Sequence, residues 1–167
     1  VLNCGGFTKN NFCNEKIYKE KKKILYENLN YLKQKYKEFQ ILPQTMPPFP
    51  WHQGGTSFHN LLRTSKDIKE LYKETGLFVC FDFSHTYMES NFSKIEFNKN
   101  FLEIINYANH LHLSDSSSSS NEGLNIDDGS IDFEFTLKKI FEIHDKHKIS
   151  FIPEVWQGHL NNGEGFK

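Results

Sequence analysis

Asp82 closes the apolar run LFVCFDF, and His85 follows it by three residues. His112 comes two residues after His110 in HLHLSD, and Glu154 ends the apolar segment ISFIPE. Two carboxylates and an imidazole are a donor set suited to a divalent cation: Mn2+, Zn2+, Co2+, Fe2+ or Mg2+. No cysteine belongs to this set, which argues against a structural zinc site. A buried carboxylate without a partner is very costly, so Asp82 after LFVCF calls for a chemical role. Alternate residues of a strand point the same way, so His110 and His112 share one face. His110 reads as packing or as support for a ligand. His144 and His147, three apart, read as solvated helix surface, and His59 as helix surface or loop packing.

Such residues meet only if the elements that carry them converge. VLNCGG reads as a strand end and turn. A long helix starts at Asn14, with Ile17, Ile24, Leu25, Leu29 and Leu32 on its apolar face and interleaved lysines and glutamates on the wet one. FQILPQTM reads as a short strand and PPFPWHQGGTS as a loop. FHNLLRTSKDIKELYKETG reads as a helix with Gly76 as its C-cap. LFVCFDF is a strand buried on both faces. FNKNFLEIINYAN is a helix, HLHLSD a strand, SSSSSNEGLNIDDGS a polar loop, DFEFTLKKIFEIHDKHK a helix and ISFIPEVW a strand. Buried strands alternating with amphipathic helices indicate an α/β fold with parallel strands, either an open doubly wound sheet or part of an eight-stranded barrel. In both, the carboxyl ends of the strands share one rim. Asn3, Gln44, Thr45, Asp82, His112 and Glu154 would therefore gather there. Neither GxGxxG after the first strand nor GxxxxGK[ST] occurs, which removes the main support for a nucleotide site.

The chain has 167 residues, which suits a single domain spanning 1–167. Lys and Arg number 20 against 21 Asp and Glu, so charge makes no case for nucleic acid or an anionic membrane as partner. Cys4, Cys13 and Cys80 form no CxxC pair and fit a reducing compartment, the cytoplasm. No signal peptide is recognised, and the apolar runs are too short to span a bilayer.

PPFPWHQGG, FDFSHTYMESN, HLHLSDS, NEGLNIDDGSIDF and IPEVWQGHLNNGEGF, in this order, resemble the sugar phosphate isomerase/epimerase family. That family lies among the xylose isomerase-like barrels, which also include endonuclease IV, and the resemblance covers essentially the whole chain. It implies a (β/α)8 TIM barrel, incomplete here, holding about the third to seventh strands, because a whole barrel takes roughly 250 residues. The abrupt ends, VLNCGG and NNGEGFK, agree with a piece of a longer protein. An open arc of barrel would expose two strand edges and dissolve poorly unless covered by missing strands or a partner, a second copy included.

The resemblance also implies one divalent metal held by Glu, Asp, His and Glu. Asp82, His112 and Glu154 match three of these, and Gln44 stands at the first glutamate. Gln44 brings an oxygen but neither charge nor basicity. His85 matches a histidine that contacts substrate or a second metal. Asn3-Cys4-Gly5 replaces the usual His-Pro-Gly, and DSSSSSN the segment that usually carries an arginine. NEG at 121–123 lacks the D-x-H of the endonuclease, which disfavours a nuclease. The expected activity is a metal-dependent sugar or sugar phosphate isomerase/epimerase. Glu154 and His85 would be catalytic; His85, Trp51, Trp156 and His159 would contact the sugar; His110 and Asp115 would orient the ligands. The alternatives are a catalytically retired sugar-binding barrel and, behind it, an endonuclease IV-like hydrolase.

Overall fold

The computed structural model describes residues 1–50, 57–144, 149–156, 158 and 160–163. Its elements in chain order are β1 (Phe7–Thr8), α1 (Glu15–Lys35), β2 (Phe58–His59), α2 (Ser65–Thr75), β3 (Val79–Asp82), α3 (Phe83–Ser93), α4 (Phe97–Ile104), β4 (Ala108–Leu113), α5 (Phe133–His144), β5 (Ser150–Pro153) and α6 (Leu160–Gly163).

β3, β4 and β5 form a parallel sheet in that order. Parallel bridges carry it further: Gln44 pairs with Cys80, and Leu2 with Pro43. Five parallel runs thus lie side by side in the order of the chain, as an arc of barrel requires. Phe81 and Leu111 point to the helical layer. There Phe81 meets Phe83 and Phe101 edge-on, and Phe83 stacks on Phe133. These rings are the centre of the apolar core. The pleat sends Cys80, Asp82, His110 and His112 to the opposite face.

Three expectations change. The segment 58–64 does not begin a helix. Phe58 and His59 pair antiparallel with Phe7 and Thr8, and the Asn60 amide donates to the Gly6 carbonyl and Thr8 Oγ1. α2 starts only at the capping box of Thr64 and Asp67, and it ends at Gly76 with φ of 64°. An extra helix, α3, follows Asp82 directly. Its Ser84, His85, Thr86, Glu89 and Ser90 are buried together with Phe83 and Met88, so no apolar stripe betrays it. On α1, Ile17 and Ile24 are exposed; Leu29 is its buried residue, with Tyr18, Leu25 and Tyr26 beside it against the core.

His59 is fully buried rather than on a surface. Its Nε2 lies 2.9 Å from the Cys4 carbonyl oxygen, and Phe7 stands edge-on to its ring. Burial lowers its pKa from 6.5 to about 4, against the pull of the Cys4 carbonyl. The unfolded chain therefore takes up this proton first. Stability on this account is intact above about pH 6.5 and falls as the pH drops towards 4, by roughly 3 kcal/mol. Urea midpoints of the protein and of His59→Gln should diverge at neutral pH and draw together at pH 4.5. A constant gap between the two would show that His59 does not titrate on unfolding.

Candidate metal centre

The β3–β4 register sets Asp82 beside His112. β5 continues the rank, and the Glu154 N–H donates to the Leu113 carbonyl at 2.9 Å. One donor atom each from Asp82, His112 and Glu154 lies within 4.8 Å of the others. His112 Nδ1 is the hub: it stands 2.5 Å from Glu154 Oε2, 3.7 Å from Asp82 Oδ2 and 3.2 Å from Gln44 Nε2. Gln44 Nε2 also donates to Asp82 Oδ2 at 2.8 Å. A half-turn of that amide puts its carbonyl oxygen in the same place, so the four side chains fit a divalent cation with oxygen and nitrogen donors.

Asp82 is 1% exposed and does two jobs. Its Oδ1 accepts the His85 N–H and the Ser84 hydroxyl and so caps α3, while Oδ2 faces the centre. Burial works against its charge, but the imidazoles of His85 and His112 and the capped N–H outweigh it and hold the carboxyl well below the usual carboxylate range. His112 is likewise opposed by burial, yet Asp82, Cys80 and Glu154 carry its pKa well above the ordinary imidazole value. Glu154 is nearly half exposed and faces the open side of the site.

His85 sits beside this group. Its Nδ1 lies 2.8 Å from the Thr45 carbonyl and its Nε2 2.9 Å from Glu122 Oε1. Two acceptors on one ring suit the imidazolium. Burial opposes that charge, but Asp82 and Glu122 prevail and raise its pKa to about 9. Sequence reasoning missed Glu122, which lies within the polar loop after β4; only the missing D-x-H drew notice there.

Other expected residues are placed differently. Asp115 is fully buried, and its carboxylate accepts the N–H groups of Ser116, Asp127, Gly129, Ser130 and Ile131. It organises the loop 116–131, and among the described residues it bonds none of the three grouped donors. His110 Nδ1 meets Ser150 Oγ at 2.7 Å, and its ring stands edge-on to His112. Trp156 lies on Gly123, its N–H bonded to the Gly123 carbonyl at 2.8 Å. A Cβ there would come within 2.2 Å of the indole, so glycine is required. Trp51, His147, Gln157 and His159 lie outside the described residues.

Cys80 enters the picture unexpectedly. It precedes Asp82 by two residues, as His110 precedes His112, and it forms a second close group with both histidines. The group of Asp82, His112 and Glu154 itself holds no cysteine; the pleat places Cys80 one level below it, paired with His110.

The xylose isomerase-like TIM barrel family matches the chain over residues 1–167. The chain belongs to this family. No curated protein shows significant sequence similarity to it. This barrel arc is similar in fold to several solved structures. One is a D-tagatose 3-epimerase-like protein, at 20% identity and a TM-score of 0.64, covering 88% of this chain and 54% of that one. Another is 3-keto-D-glucoside 4-epimerase from E. coli, at 12% and 0.60, covering 86% and 50%. A third is a probable 3-DHS dehydratase from Bacillus anthracis, at 15% and 0.61, covering 87% and 54%. The chain thus spans about half the length of these proteins, which agrees with an incomplete xylose isomerase-like barrel. Among the described residues no helix is long and apolar enough to cross a membrane.

Proposed function

We propose that the protein is a metal-dependent isomerase or epimerase of a sugar or sugar phosphate. The observation that carries this is the convergence of Asp82, His112 and Glu154 from three strands on one point. Epimerases among the structural neighbours support the reaction class. Asp82, His112, Glu154 and the Gln44 oxygen would hold Mn2+, Co2+, Zn2+ or Mg2+. When bound, such an ion supplies Lewis-acid polarisation of a sugar carbonyl, which acidifies the neighbouring C–H.

The remaining steps belong to the chain. Glu154 is the carboxylate open to a ligand, and it takes the proton from one carbon and returns it to the next, which completes an isomerisation; an epimerisation needs in addition a proton donor on the opposite face of the same carbon. His85, charged and fixed between Thr45 and Glu122, donates to a sugar oxygen when Glu122 yields its place. Trp156 offers an apolar wall at the rim. The amide of Gln44 cannot share the proton transfer, so the exchange runs through a single carboxylate. That feature also favours a second reading, a barrel that binds sugar without turnover.

Metal titration separates these outcomes. Glu154→Ala should weaken Mn2+ binding about tenfold, close to 1.4 kcal/mol. Gln44→Glu should strengthen it by a similar factor. Turnover in the unaltered protein that Glu154→Ala removes supports the enzyme. Turnover that appears only with Gln44→Glu supports the retired barrel. Metal binding indifferent to both changes removes the centre.

A further inference from the structure

Below the rank of Asp82 and His112 lies another. The β3–β4 register pairs Cys80 with His110, and the β4–β5 register pairs His110 with Ser150. Cys80 is fully buried, and its sulfur lies within 4.8 Å of a ring nitrogen of His110 and one of His112. Three such donors would sit roughly 3.4–3.8 Å apart around a tetrahedral zinc ion, so the group need contract by only about 1 Å.

Two details point to a ligand. His112 is 6% exposed, and its Nε2 is buried with no hydrogen-bond partner among the described residues. Its other nitrogen is taken by the carboxylate centre. No well-formed hydrogen bond satisfies that nitrogen, although the Cys80 sulfur interacts with the His112 ring and raises its pKa. In addition, His110 Nδ1 lies 2.7 Å from Ser150 Oγ, whose hydroxyl also reaches the Asn109 carbonyl at 3.4 Å. In the tautomer that places its N–H on Nδ1, His110 donates to Ser150 and has its lone pair on Nε2, the usual support of a metal-bound imidazole.

We propose that Cys80, His110 and His112 form a second cation site, for a thiophilic divalent ion such as Zn2+ or Co2+, directly beneath the carboxylate centre. Binding forms bonds from the metal to the Cys80 sulfur and to one nitrogen of each imidazole, and it releases to solvent the thiol proton and the proton that the charged His112 ring carries on the bound nitrogen. The two sites differ in chemistry: thiolate and imidazole below select a softer ion, carboxylates and an amide above a harder one. They share His112, which as a neutral ring serves one ion at a time and bridges both only as the imidazolate, with its last ring proton released to solvent. This site goes beyond the proposed activity and stands whether or not the upper centre turns over a sugar.

Cobalt spectroscopy tests it, because only a sulfur ligand produces a thiolate-to-cobalt charge-transfer band in the near ultraviolet. The protein titrated with Co2+ should develop the band as the lower site fills. Glu154→Ala should retain it, and so should Cys13→Ser, which removes the half-buried thiol elsewhere. Cys80→Ser should abolish it. His110→Asn, at a half-buried position, should weaken Co2+ affinity at this band by tenfold or more, and Ser150→Ala by about tenfold. The absence of a band in the unaltered protein, or its survival in Cys80→Ser, overturns the site. Full affinity in a folded His110→Asn does so too. A band that persists while Mn2+ binding ignores Glu154 would leave this site standing and remove the upper centre.

Discussion

Asp82→Ala is expected to weaken Mn2+ binding by at least about a hundredfold, or about 3 kcal/mol. Asp82 is the buried carboxylate of the proposed centre, and its loss leaves Glu154, half exposed, as the remaining carboxylate. The substitution also removes the cap of α3 and the counter-charge of His85. A buried charge stripped of its partner costs roughly 3–5 kcal/mol, less here because Glu122 still holds the other side of the ring. The folded pKa of Asp82 lies below its unfolded value, so the stability it supplies is present above the ordinary carboxylate range and is lost as pH falls through it. Two measurements check this. Isothermal titration should show the loss of Mn2+ affinity, and urea unfolding should show a lower midpoint whose deficit shrinks towards pH 3. Wild-type affinity in a folded variant would place the ion elsewhere.

Asp115→Ala should unfold the polar loop and cost the protein roughly 4 kcal/mol. One carboxylate answers five backbone N–H groups in a fully buried position. Hydrogen bonds to a charged group are worth roughly 1.5–3 kcal/mol each, but they share one acceptor and the freed loop regains water, so the sum is far from additive. Asp115→Asn restores shape but has one oxygen for five donors and should recover less than half of the loss. Hydrogen exchange reads the effect locally: the amides of Gly129, Ser130 and Ile131 should lose protection in both variants. Retained protection would mean that the backbone holds this loop without the carboxylate.

Much of this was legible in the sequence. LFVCFD and HLHLSD are continuous apolar or alternating strands, and their polar ends fall where a parallel arc places them. The resemblance supplied the barrel that periodicity alone left open against a doubly wound sheet. α3 was illegible because its first two turns are buried almost all round, with polar residues among the buried ones, so that no apolar stripe stands against a wet face. β1 and β2 are two residues each, too short for any period. Cys80 was overlooked because it looks like one more apolar residue of a core strand; only pairing with the neighbouring strand reveals which residue it faces. Glu122 was hidden in a serine-rich loop, since its role depends on a fold-back that Asp115 enforces.

The contact of Trp156 with Gly123 has a mechanical consequence. It ties the chain just past Glu154 to the loop that bears Glu122, the partner of His85. A ligand that displaces the backbone of this loop along with Glu122 would shift the indole, and with it the segment that sets Glu154. Ligand binding beside His85 and cation binding at the proposed centre would then be thermodynamically reciprocal, each altering the other by the same factor.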